Sequence, residues 1–148
     1  MKIENPQIAY TIKAKRIRKP LGESLCDSDV ASGYCRLLFT DCMLIHEKFY
    51  MVMVDRSNNI VGHAFISSGG VNDTIVDIRL VMFYAINSLC SGVICTHNHP
   101  SGKRSPSQSD IKLTGKIKSA LELVGIKLLD HVIICDDKHY SFADEGLL

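Results

Sequence analysis

The sequence has no CxxC pair, no unbroken stretch of eighteen apolar residues and almost no net charge, and each absence closes off a class of function. Without a long apolar run nothing can span a bilayer as a helix. A formal charge of +1 gives no overall pull toward nucleic acid or an anionic membrane. The opening MKIENPQIAY has no apolar core behind its first lysine, so no secretory leader is expected and a cytoplasmic protein is. The six cysteines (Cys26, Cys35, Cys42, Cys90, Cys95 and Cys135) sit in apolar stretches, which predicts buried, reduced thiols and no cysteine-built zinc site. Repeats and low-complexity tracts are also missing. What remains is 148 residues with an ordinary apolar share, enough for one compact domain with a real core.

Residues 7–17 alternate apolar and polar and read as an edge strand. Asp27 or Ser28 can cap a helix running to about Met43. Phe49 to Val54 and Ile60 to Ile66 are strand-like runs separated by the turn-forming Asp55-Arg56-Ser57-Asn58-Asn59, so they predict a hairpin ended by Gly69 and Gly70. Asp77 starts a helix whose body, Ile78 to Cys90, is apolar nearly all round and is expected to be buried, with Gly92 closing it. Val93 to Thr96 reads as a short buried strand leading into His97, and 98–106 as a loop. Ser107 opens a third helix with Ile111, Thr114, Ile117, Leu121 and Val124 on one face, stopped by Gly125. Leu128 to Ile134 is a last central strand, and Tyr140 to Phe142 pairs back on it across Asp136-Asp137. Interleaved elements of this kind predict an α/β (α+β) fold, one mixed sheet flanked by helices.

Chemistry concentrates between His97 and Asp110. Residues i and i+2 of an extended chain project to one side, so His97 and His99 can offer their imidazoles to one point. Pro100 holds its predecessor extended and keeps the two aligned. Ser107 is a good helix N-cap, and Asp110, at the third helical position, turns back toward that terminus. Two imidazoles and one carboxylate leave a fourth tetrahedral position open, which is the pattern of a catalytic zinc. One zinc ion per chain is therefore expected on His97, His99 and Asp110, its bound water acidified toward neutrality.

The spacing HxH-x7-SxxD resembles the signature of the JAB/MPN (JAMM) metalloproteases, and HNHPSG followed by PSQSD is similar to their RadC-like branch. HEKFYMVMVD, RSNNIVG, DIRLV, GIKLLDHVII and SFADEGLL resemble RadC proteins too, so the likeness covers about residues 40 to 148, with 1–40 as an N-terminal strand and helix extension. The resemblance implies a deaminase-like fold, a peptide or protein substrate, and a glutamate on an upstream strand that activates water. Of Glu4, Glu23, Glu47, Glu122 and Glu145, Glu47 stands at the start of an apolar strand, where the family pattern has its catalytic glutamate. Ser107 matches the family serine held to support the oxyanion, a role compatible with capping.

Other residues carry weaker signals. Cys95 lies two positions before His97, where burial outweighs ligation. Asp130 and His131 match the family's DH pair, readable as structural or as support for a ligand histidine. Arg79 could meet a substrate or only a helix terminus, and His46, His63 and His139 have no telling spacing. The cluster Lys13 to Lys19 reads as an edge-strand device rather than a phosphate contact. The resemblance also implies a second class of function, a DNA-associated accessory module with DNA or a DNA-bound protein as partner. Against it, the first 40 residues show no helix-hairpin-helix pattern, which full-length members usually carry. A metal-bound but silent scaffold is disfavoured because all four motif positions are intact.

Overall fold

A computed structural model describes residues 24–69 and 75–148. The expected strand over 7–17, the Lys13–Lys19 cluster, Glu4, Glu23 and Gly70 lie outside the described residues. The remaining chain forms α1 (Ser28–Leu37), β1 (Lys48–Val54), β2 (Ile60–Ser68), α2 (Ile78–Ser88), β3 (Gly92–Asn98), α3 (Gln108–Glu122), β4 (Lys127–Ile134) and β5 (His139–Ser141).

The five strands make one mixed sheet in the order β2-β1-β3-β4-β5. β1 and β2 pair antiparallel across the expected turn, where the Asp55 carboxylate accepts from the amides of Ser57 and Asn59. β3 and β4 are parallel, and such strands need a crossover, which α3 supplies. The other neighbours are antiparallel. Alternation along the strands divides the core. Phe49, Met51 and Met53 of β1 and Val93 and Cys95 of β3 face Val81 and Ala85 of α2 and Ile117 and Leu121 of α3. Val52, Val54, Ile94, Val132 and Ile134 face Ala31, Cys35 and Phe39 on the α1 side. The mixed sheet between helix layers is the architecture expected from the sequence.

Several local expectations need correction. α1 stops at Leu37 rather than near Met43. Beyond it the chain tightens into turns, with Leu38 and Phe39 donating to carbonyls three residues back, and Phe39 and Cys42 drop into the core. α2 is not buried all round: only Val81 and Ala85 are, while Phe83, Ile86 and Leu89 are 42%, 49% and 88% exposed. It lies in an outer layer and has one face to bury. Leu89, in the left-handed region at φ 53°, ends this helix in place of Gly92. Gly92 opens β3, where an added Cβ would come within 2.7 Å of the Leu129 side chain. Cys26 is exposed, whereas the other five cysteines are buried and all six are free. β5 starts one residue early.

One further difference matters most for the site. His97 lies inside β3, not past its end, because the strand has ladder partners on both flanks. Phe49 and Ile133 stand opposite His97, and His99 still donates its amide to the Ile134 carbonyl at 2.9 Å.

Candidate metal centre

β3 is the central strand of the sheet, buried at every residue, and α3 starts just beyond its C-terminal end. His97 follows Cys95 by two residues and so points to the α3 side, stacked near-parallel on Phe49 at 6.0 Å between ring centroids. His99 continues on the same side. Its Nδ1 lies 2.6 Å from the Lys103 carbonyl oxygen, which can only accept, so Nδ1 carries the hydrogen and Nε2 presents a lone pair.

Asp110 arrives from the first turn of α3. Ser107 caps that helix, its Oγ accepting from the Asp110 amide at 3.1 Å, while Asp110 Oδ2 accepts from the Ser107 amide at 2.6 Å. This reciprocal box holds the carboxylate over the end of β3. Its Oδ1 lies 3.5 Å from His97 Nε2 and its Oδ2 3.7 Å from His99 Nε2; the two Nε2 atoms are 2.9 Å apart. Donors around a tetrahedral zinc with bonds near 2.1 Å are separated by about 3.4 Å, so the spacing fits with shifts of up to about half an ångström. His97, His99 and Asp110 form a group that could hold a metal ion.

The electrostatics agree. Burial opposes ionisation of Asp110, but the adjoining His99 ring, the His97 ring and the capping contacts with Ser107 hold the carboxyl well below the usual carboxylate range. Burial lowers His97 far below an ordinary histidine, with the neighbouring His131 ring adding to it. Burial acts the same way on His99, yet the Asp110 carboxylate, the Lys103 carbonyl and the charge of Glu47 outweigh it and raise its pKa. A carboxylate that stays charged beside two imidazole lone pairs is a cation-binding set.

Glu47 immediately precedes β1 and is half-buried. Its carbonyl accepts from the Gly69 amide at 2.9 Å, and its charge reaches His99. The residue that sets the path of this segment is Asn98, which the sequence reading passed over between the two histidines. On the opposite side of β3 from them, its fully buried amide accepts from the Lys48 amide at 2.8 Å. It also donates to the carbonyls of Met43 and His46 at 3.1 and 3.0 Å. One side chain thus fixes both ends of the turn that presents Glu47.

The DH pair divides its work. Asp130 pins the end of β5 and the chain after it, accepting from the Ser141 hydroxyl at 2.7 Å and the Ala143 amide at 3.0 Å. His131, fully buried, brings Nε2 to 2.8 Å from His97 Nδ1, and its Nδ1 lies 2.6 Å from the Thr114 hydroxyl. Thr114 gave no chemical signal in sequence because it lies on the buried face of α3 with Ile117 and Leu121. Cys95 is fully buried and burial raises its thiol strongly, so it offers no thiolate. Arg79 turns back on the α2 cap, 2.6 Å from Asp77 Oδ2.

The sequence profile of the RadC-like JAB domain matches residues 25–147, which takes in α1 as well as the sheet and the metal group. The chain belongs to the RadC-like JAB domain family. Similar proteins include UPF0758 proteins of Flavobacterium johnsoniae, 46% identical over 70% of this chain and 45% of the relative, and of Porphyromonas gingivalis, 42% identical over 87% and 56%. The UPF0758 protein of Salinibacter ruber is 36% identical over 93% of this chain and 58% of its own. The RadC-like chain described here spans about half the length of the curated relatives it matches. Among its described residues no helix is long and apolar enough to cross a membrane.

Proposed function

We propose that this RadC-like domain is a zinc-dependent hydrolase of amide bonds, with a peptide or isopeptide bond of a protein as substrate. The observation that carries the reading is the convergence of His97 Nε2, His99 Nε2 and an Asp110 carboxylate oxygen, all within 4.8 Å of one another, with the Glu47 charge reaching the same histidine. Zinc held there would supply Lewis acidity, polarising a carbonyl and acidifying water. Glu47 takes a proton from the attacking water and returns it to the leaving amine. Ser107 is exposed at the start of α3, and its hydroxyl hydrogen is free to support a developing oxyanion while its oxygen caps the helix. Two imidazoles and a carboxylate also ligate iron(II) in oxygenases, so the metal itself has to be identified.

Metal analysis of the purified protein is expected to find one zinc per chain, lost in Asp110→Ala. Cleavage of a peptide and isopeptide library is expected from the wild type and to fall by at least about 10²-fold in Glu47→Gln. Iron in place of zinc would sink the hydrolase reading. Salt-dependent DNA binding with no Glu47-dependent cleavage would point to a DNA-associated accessory module.

A further inference from the structure

Behind His97 lies a chain of hydrogen bonds whose direction is fixed at its far end. The Thr114 hydroxyl has a single hydrogen and two close neighbours, the Asp110 carbonyl oxygen and His131 Nδ1, each at 2.6 Å. A carbonyl only accepts, so the hydroxyl hydrogen goes to Asp110, and Thr114 Oγ1 is left to accept from His131. His131 Nδ1 therefore bears its ring's hydrogen. An imidazole buried this completely is uncharged and has only one, so His131 Nε2 is a bare acceptor. Its neighbour at 2.8 Å, His97 Nδ1, must then be the donor, and the lone pair of His97 is on Nε2, facing His99 and Asp110.

We propose that Thr114 and His131 are positioning residues that lock His97 into the tautomer with a bare Nε2, using the backbone carbonyl of Asp110 as the fixed end of the relay. The assignment of the tautomer stands on the hydrogen bonds alone; its value for metal binding rests on the reading of His97, His99 and Asp110 as a metal centre. The arrangement closes on itself. Asp110 anchors the relay through its main chain and completes the donor set through its side chain, so the ring and the carboxylate are oriented by one helical turn. His99 has a simpler version of the same device in the Lys103 carbonyl. Both imidazoles thus turn their hydrogens outward and their lone pairs to one point.

Without the Thr114 hydroxyl, the Nδ1 hydrogen of His131 would be buried with no acceptor. The ring then favours the other tautomer, donating from Nε2 to His97 Nδ1 and forcing the His97 hydrogen onto Nε2, where a cation would have to displace it. The test uses the full chain, metal-free, with nitrogen-15-labelled histidine read by NMR, and zinc affinity measured by competition with a chromophoric chelator. Wild type is expected to show His97 protonated on Nδ1. Thr114→Val is expected to move His97 toward Nε2 protonation and to weaken zinc roughly 10- to 100-fold, and Thr114→Ser to restore both. A wild-type His97 with its hydrogen on Nε2 overturns the proposal without recourse to any variant. So does a folded Thr114→Val protein whose tautomer and zinc affinity are unchanged; stoichiometric zinc in that same experiment would leave the metal centre standing. Conversely, the expected tautomer in a wild type that binds no zinc would uphold the relay and remove the metal reading.

Discussion

His97 and His99 stand two residues apart on one side of one strand, converge on one carboxylate, and are electrostatic opposites. His97 is sealed inside the sheet, with Phe49 stacked on one side and His131 behind it, and burial keeps it neutral far below the ordinary histidine range. His99 sits where the strand leaves the sheet, and the charges of Asp110 and Glu47 raise it instead. The difference shows how one group of side chains can be both rigid and responsive to its surroundings. The inner imidazole is held by packing and a directed hydrogen-bond chain, and the outer one lies at the strand end beside the charges of Asp110 and Glu47.

Replacing each in turn should separate them most clearly. His97→Ala is expected to lose metal binding and also to destabilise the metal-free protein by about 2 to 4 kcal/mol, because it leaves a cavity beside Phe49 and an unpaired His131 Nε2. His99→Ala should lose metal equally but cost the metal-free fold less than about 1 kcal/mol. Urea denaturation of the two variants would reveal it, and equal losses would break the contrast.

Acid should act on the inner side first. His131 is neutral in the fold, its pKa pushed down to about 4 chiefly by burial, and ionises near 6.5 when unfolded. Stability is therefore complete above the unfolded value, declines as pH falls below it, and levels off near the folded value, a loss of roughly 3 kcal/mol from this residue alone. His97, also depressed, adds in the same direction. His99 has the opposite sign: its contribution is present below about pH 6.5 and disappears as pH rises through its raised folded value. Denaturation midpoints of the metal-free wild type from pH 8 to 4 should fall toward acid, and should fall less in His131→Phe.

Asn98→Ala tests whether the residue between the two histidines serves neither directly. It should destabilise by about 1 to 3 kcal/mol through the orphaned amide of Lys48 and carbonyls of Met43 and His46. Zinc stoichiometry should be kept while Glu47-dependent cleavage drops; loss of metal instead would place Asn98 with the ligands. The mildest effect belongs to the outer imidazole. Because the proton on His99 competes with the metal, zinc affinity should weaken by up to about tenfold per pH unit once pH falls below its raised pKa. Chelator competition between pH 8 and 6 would measure it, and a flat profile would mean that His99 does not titrate there.

The grouping of His97, His99 and Asp110 was legible in sequence because its geometry is written locally. An extended HxH sets two imidazoles on one side, and a capping SxxD fixes the carboxylate a short loop away. The hairpin and the mixed sheet were legible for the same reason, alternation and turn chemistry being short-range signals. Support for the site was not. His131 reaches His97 from 34 residues downstream across a parallel strand pair, and Asn98 acts on segments 50 to 55 residues upstream from the far side of the strand. Thr114, placed among isoleucine and leucine, looked like core filling. α2 misled through composition alone, since an apolar helix says nothing of how many of its faces the fold covers.

The double use of Asp110 binds two timescales together. The carboxylate that would ligate the ion also accepts from the Ser107 amide and keeps the first turn of α3 from fraying. Occupancy of the centre should therefore be felt as a clamp on that turn, slowing hydrogen exchange of the amides from Ser107 to Ile111 more than those in the middle of the sheet, which open only with the whole domain. Conversely, every spontaneous opening of the turn would swing the Asp110 carboxylate away, so the fraying rate of one helix end would set how quickly a bound metal could leave.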